Sequence, residues 1–382
     1  MAIKKFETAV STISGSSFPN FREMTRDVKI DKAYRSRYVK SMLVSLASEP
    51  FRWVENWKYG EVVKNTPITK DPVFILGHWR SGTTYLHNLL SQDLEMAYVT
   101  TYQSVFPNQL LSSRWLFRSL MSANMPKRRP ADNVELNADY PQEEEFALGD
   151  MNPYSLYNFW YFPKHTREYF DKFIKLKGFN KAEQQRWKND YELFVKKTLV
   201  NQAPSSRFLS KNPPHTGRIP KLLELFPNAK FIYIYRNPIS VFLSTLNFFT
   251  KTIPPLQFQD ISDLEMEDNI LYVYEQMLRK YESDKAMIPA GNLIELKYED
   301  FEHEPLVNLE HIYQQLNLPN FNITKDRFVK YIDSQKKFKV NKHQISDEKI
   351  EKIYRHLGFA MEQYQYSVPD DIEILATKGV TF

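Results

Sequence analysis

Between residues 77 and 84 the chain reads Gly77-His78-Trp79-Arg80-Ser81-Gly82-Thr83-Thr84, and these residue types in this order can hold an oxyanion. The first N–H groups of a helix have no intrahelical partner, and the helix dipole adds partial positive charge there. Gly82 lets the backbone come close to the anion. Arg80 supplies a fixed cation whose fork matches phosphate oxygens. Ser81, Thr83 and Thr84 add hydroxyl donors. Together they read as a phosphate cradle. Further along, Tyr235-Arg236-Asn237-Pro238 places an arginine at the end of an apolar run, with Ser244 following on the next segment. Arg236 is either a second anchor for an anionic ligand or an arginine paired with a surface carboxylate.

The elements that must position these residues are legible around them. Val73-Phe74-Ile75-Leu76 is a short continuous apolar run, suited to a strand buried on both faces, and Thr84–Leu90 reads as the helix after the loop. The second half alternates. Phe208-Leu209 is a strand, Ile219–Phe226 a helix, Phe231–Tyr235 a strand and Pro238–Phe249 a helix with Pro in its first turn. Leu264–Met287 is a long helix, Leu293–Leu296 a strand and Pro305–Leu316 a helix. Residues 183–201 form another helix. Strands alternating with helices predict an α/β fold, a P-loop-like parallel sheet with helices on both faces. Arg236 then leaves the carboxyl end of a strand, where open α/β sheets place ligands, and Ser244 lies two turns into the helix. The pattern predicts a single domain over 1–382, with residues 1–65 as a helical lead-in and 66–365 as the catalytic core.

Composition narrows the chemistry. The chain of 382 residues has no cysteine, which excludes disulfides, thiolate metal sites and a thiol nucleophile. A net charge of +5 fits either a solvated surface or a basic cleft for an anionic ligand. The eight histidines are scattered, so no metal is expected. Residues 1–14 show no signal-peptide core and no window reaches a membrane span, so a cytoplasmic protein is expected. Gly77 and Gly82 have the spacing of a P-loop ATPase, but that motif needs Lys where Thr83 stands, which weakens a kinase or NTPase reading. A non-catalytic nucleotide-binding protein is a further alternative. Nucleic acid is not expected as a partner, because no basic stripe carries interleaved aromatics.

Arg80-Ser81-Gly82-Thr83-Thr84 resembles the 5′-phosphosulfate loop of sulfotransferases, in the form seen in their bacterial-type group. The segment Phe231–Ser244 is similar to the family's 3′-phosphate site, and Leu296-Lys297-Tyr298-Glu299-Asp300-Phe301 to a further family segment with a structural role. The resemblance covers roughly residues 70–365. It implies that 3′-phosphoadenylyl sulfate (PAPS) is the sulfuryl donor, that Arg80–Thr84 hold its 5′ end, and that Arg236 and Ser244 hold its 3′-phosphate. Lys339 and Lys342, beside His343, resemble a basic loop that closes over the nucleotide; a solvated charged loop is the alternative.

The Lys-Thr-His that cytosolic members of the family carry before the arginine strand appears here as Lys211-Asn212-Pro213. Lys211 would assist the leaving group, but Pro213 replaces the histidine base, and His215 lies two residues on. The acidic stretch Tyr140-Pro141-Gln142-Glu143-Glu144-Glu145 is similar to a segment of the bacterial-type group, whose tyrosylprotein relatives use a glutamate base. Glu143 and Glu145 would point about 200° apart on a helix, so only one can face the acceptor, and Glu143 is favoured. The alternative is an acidic first turn that stabilises a helix start. Segments 104–125 and 151–162 are rich in aromatic and aliphatic residues. They predict either core or an apolar pocket for a hydroxylated small molecule such as a sterol, lipid or phenol. A carbohydrate or a peptide tyrosine is the alternative acceptor. Arg114, Arg118 and Lys127–Arg129 beside apolar residues suggest peripheral contact with the inner membrane face.

Overall fold

In the computed structural model, residues 11–125, 136–335, 344–370 and 372–375 are described. The apolar run after Asp71-Pro72 forms strand β1 (Val73–Leu76), buried at every residue. Four more strands follow in the main sheet: β2 (Met96–Tyr98), β3 (Arg207–Lys211), β4 (Lys230–Tyr235) and β5 (Leu293–Lys297). Their order is β2-β3-β1-β4-β5, and every pairing is parallel. Val73 stands between Leu209 of β3 and Lys230 of β4, which makes β1 the central strand.

Side chains alternate across the sheet, as the period of two requires. Phe74 and Leu76 join Phe231 and Tyr233 in one core, under the helices Pro238–Thr252 and Asp263–Asp284. Val73 and Ile75 join Ile232 and Ile234 in another, under the helices Thr83–Leu90 and Pro305–Gln315. The fold is therefore α/β with both sheet faces covered. After β1 the chain runs to β2 and β3 on one side; β4 and β5 lie on the other. The connections diverge at the carboxyl ends of β1 and β4, which opens a crevice there.

The sequence expectation misses β2, a three-residue edge strand within the short apolar stretch Met96-Ala97-Tyr98-Val99. It also leaves the lead-in helix coarse: Arg35–Asn65 is one helix of 31 residues. Tyr298–His303 forms a short helix directly on β5. Among the described residues, no helix is long and apolar enough to cross a membrane.

The helix after the loop carries a histidine on its buried side. His87 is fully buried, and neither ring nitrogen has a hydrogen-bond partner. Burial, then the Lys211 charge, holds its pKa well below the ordinary histidine value. The unfolded chain therefore binds a proton that the folded chain refuses, and stability falls as pH drops below about 6.5. Replacing His87 with Leu removes this liability. Between pH 6 and 5 the stability of His87→Leu should gain on the wild type by about 1.4 kcal/mol per pH unit. Urea melts at several pH values measure it, and parallel curves would contradict it.

Candidate active site

The loop leaves β1 through Gly77 (φ 143°), whose N–H donates to Thr216 Oγ1 at 2.8 Å. Arg80 adopts a left-handed backbone (φ 70°) that few non-glycine residues occupy. Its Nε donates to Ser244 Oγ at 3.0 Å, and its guanidinium lies 5.5 Å from the Phe248 ring centre. Burial pushes the His78 imidazole down to about 3, so Arg80 and not His78 supplies the loop's cation. Gly82, at φ 95°, ends the loop, and its carbonyl accepts from the N–H groups of Tyr85 (3.1 Å) and Leu86 (3.3 Å). The amides of Thr83 and Thr84 precede these first helical bonds, which is the arrangement an oxyanion needs. Ser81 and Thr83 are buried, whereas Thr84 is half-buried.

Arg236 emerges from the end of β4, and its guanidinium carbon sits 4.5 Å over the ring centre of Tyr298. Asn237 caps the following helix by accepting from Ile239 N–H at 3.0 Å. Tyr298 is the residue that joins the loop to Arg236. A Cβ on Gly82 would stand 2.1 Å from Tyr298 Cδ2, so the loop lies directly on the ring that Arg236 covers. Tyr298 belongs to the segment whose role was expected to be structural, and no spacing argument marked it. Ser244 is likewise placed on Arg80 by the hydrogen bond above. Arg80, Gly82, Thr83, Thr84, Arg236 and Tyr298 all line one cavity of about 710 Å³.

Glu143 lines the same cavity. Lys211, at the end of β3, donates from Nζ to Glu143 Oε1 at 2.5 Å. The Tyr157 hydroxyl donates to Glu143 Oε2 and accepts from Trp79 Nε1 at 2.7 Å. Burial, then the Glu143 charge, raises the Tyr157 phenol far above its ordinary value, so it stays a donor. Lys211 and Glu143 are thus brought together. Glu143 precedes the helix Glu145–Met151 rather than lying on it, so the angular comparison of Glu143 with Glu145 on one helix does not apply.

Glu145 and His215 do not line this cavity. Glu145 is fully buried; Arg218 donates to its Oε2 at 2.6 Å and to its Oε1 at 2.9 Å. Asn212, Ser155 and the Leu156 N–H complete its shell. His215 is fully buried too, 3.0 Å from the Tyr191 hydroxyl and 3.2 Å from Glu144 Oε1. Through these partners both residues hold the acidic segment against the β3 end. Lys339, Lys342 and Lys127–Arg129 lie outside the described residues. Among the described residues, no group of three or more acidic or histidine side chains is placed to hold a metal.

Comparison with known proteins points the same way. A model of the sulfotransferase family matches residues 72–322. The omega-hydroxy-beta-dihydromenaquinone-9 sulfotransferases Stf3 of Mycobacterium bovis and Mycobacterium tuberculosis are each 30% identical over 308 residues, covering 81% of this chain and 78% of theirs. Among solved structures, the sulfotransferase STF9 from Mycobacterium avium superposes with a TM-score of 0.65 at 17% identity, covering 94% of this chain and 98% of its own. The sulfotransferase STF1 from Mycobacterium tuberculosis gives 0.62 at 15% identity, covering 87% and 93%. At those identities the two structures speak for the fold.

Proposed function

The chain belongs to the sulfotransferase family, and from that premise we propose that it moves a sulfuryl group from PAPS to the hydroxyl of a hydrophobic acceptor. The observation that carries this reading is the single cavity shared by the Arg80–Thr84 loop, Arg236 and Glu143. Arg80 and the helix amides hold the 5′-phosphosulfate end, while Arg236 on Tyr298 holds the 3′-phosphate. Glu143 takes the proton from the acceptor hydroxyl. Lys211 fixes Glu143 and stands ready to donate to the departing phosphate oxygen as Glu143 becomes neutral. When bound, the donor supplies the sulfuryl group with a phosphate as leaving group, so no metal is required in principle. We infer that 1–382 act as one domain with 66–365 as the core.

The acceptor side supports a lipid. Phe146, Trp160, Phe248 and Leu256 line the same cavity with apolar surface. The Stf3 relatives are named for a hydroxylated menaquinone, a lipid alcohol. A hydroxylated isoprenoid, sterol or long-chain alcohol would bury its apolar body on this wall. We place the protein in the cytoplasm with a peripheral membrane contact. Arg118 and Arg114 do not provide that contact freely, because Asp139 pairs with both.

Calorimetric titration tests the donor site. Adenosine 3′,5′-bisphosphate should bind at least about tenfold more tightly than adenosine 5′-phosphate, since only the former engages Arg236 by a charge-assisted contact. Equal affinities would remove the two-anchor reading. Gly82→Ala should weaken bisphosphate binding by a similar factor, because the added methyl must displace the Tyr298 ring and the backbone is left-handed there. Unchanged binding by that variant would contradict the close packing of loop and ring.

A further inference from the structure

The helix Arg35–Asn65 is apolar on the face turned away from the protein. Its inner face buries Ser41, Ser45, Ser48 and Glu55. On the opposite side Val39, Leu43, Leu46, Pro50, Trp53 and Trp57 are all exposed, Trp53 by 63% and Trp57 by 85%. Spacings of four and three residues put these six on one stripe. Arg35, Lys40, Lys58 and Lys64 are exposed around it. From Arg35 to Gly60 the only carboxylates are Glu49 and Glu55, and both are buried; Glu61 is the first exposed one. The outer surface is therefore an apolar stripe with two tryptophans inside a cationic rim.

The inner side of this helix meets the cavity wall. Arg37 donates to the carbonyls of Pro254 at 3.0 Å and Gln257 at 2.8 Å, on either side of Leu256, which lines the cavity. Ser45 Oγ donates to the Ser16 carbonyl at 2.7 Å, close in sequence to Thr12, another lining residue. A single helix, about 10 Å across, thus separates the apolar stripe from segments that wall the acceptor space.

We propose that the outer face of the helix Arg35–Asn65 seats the enzyme on a bilayer surface that contains anionic lipid, with the helix lying in the interface plane. Tryptophans favour the headgroup level, lysine stems reach toward lipid phosphates, and the helix cannot span. The 4-3 spacing would also suit a second copy of the chain. Charge argues against that partner: pairing two such helices in either direction sets cationic ends on cationic ends. The link to catalysis rests on the lipid-acceptor reading; binding to vesicles does not.

Flotation of the full chain with vesicles, without donor or acceptor, tests the inference. The wild type should float with phosphatidylcholine vesicles containing phosphatidylglycerol, and less with phosphatidylcholine alone. Trp53→Ser combined with Trp57→Ser should lower partition by about tenfold or more, as buried aromatic area is lost from the interface. Both side chains are exposed, so thermal melting of the variant should match the wild type. Lys40→Gln with Lys58→Gln should erase the preference for anionic vesicles. Wild-type protein left in the soluble fraction, or a tryptophan variant that floats equally, overturns the proposal. Equal partition onto neutral vesicles overturns the anionic preference. A sedimenting dimer that the tryptophan variant dissolves assigns the face to a second copy and overturns it as well.

Discussion

Glu143→Gln lowers kcat for sulfuryl transfer by about 10²–10⁴-fold, the span that a positioned general base supplies. The amide keeps the shape of the side chain and its place in the cavity. It cannot take up the acceptor proton, and one of its two ends becomes an NH₂ that faces a donor, either Lys211 or the Tyr157 hydroxyl. The donor anchors lie elsewhere, on the loop and on Arg236, so affinity for adenosine 3′,5′-bisphosphate should stay within about twofold. The split between kcat and bisphosphate affinity is the diagnostic. A merely structural Glu143 would lower thermal stability and bisphosphate affinity along with the rate. An unchanged kcat would move the base to another group.

Arg218→Ala has the largest expected effect on the fold. Burial alone would raise the Glu145 carboxyl, but Arg218, then His215 and Asn212, outweigh it and hold that carboxyl below the ordinary range. A carboxyl lowered in the folded state contributes stability above its unfolded value, and that contribution is lost as pH falls through the folded value. Without Arg218 the sign reverses. Glu145 becomes a buried carboxylate left with Asn212, Ser155, the Leu156 N–H and His215 nearby, and its folded value rises. The variant should lose about 3–5 kcal/mol near pH 7, and the deficit should shrink as acid neutralises the stranded carboxyl. Urea denaturation at pH 7 and pH 4 measures both parts. A loss below about 1 kcal/mol at pH 7 would mean that the pair is not the lock it looks like, since surface pairs are worth that little. Because neither residue lines the cavity, the folded fraction of the variant should keep most of its bisphosphate affinity.

The two predictions mark what the sequence could and could not disclose. The loop was legible because a buried apolar run, two glycines, an arginine and three hydroxyl residues occur in one short stretch. Every part of that pattern is local. Arg236 was legible for the same reason, at the end of an apolar run. Glu143, Glu144 and Glu145 were not separable by local pattern. Their fates depend on partners from distant segments: Lys211 and Tyr157 for Glu143, Ser210 and Tyr191 for Glu144, Arg218 and Asn212 for Glu145. His215 is two positions from where a base was sought, yet packing with Tyr191 turns it inward. Tyr298 was legible only as part of a structural segment, because a tyrosine after a strand has no chemical signature until the loop lies on it. The five main strands and their helices were legible save β2, a strand of only three residues at the sheet edge. The exposed stripe on the helix Arg35–Asn65 was hidden differently. Its apolar residues recur at helical spacing, and spacing alone does not say which stripe is covered.

The central claim, that one cavity joins a PAPS site to a base facing an apolar acceptor, is tested by a single transfer assay. The purified chain is incubated with PAPS and a hydroxylated isoprenoid quinone in mixed micelles, and the lipid is read by mass spectrometry. The account predicts a lipid heavier by one sulfuryl group, with adenosine 3′,5′-bisphosphate released in equal amount and no divalent metal required. A lipid of unchanged mass across hydroxylated isoprenoids, sterols and long-chain alcohols, from protein that binds the bisphosphate, would contradict it.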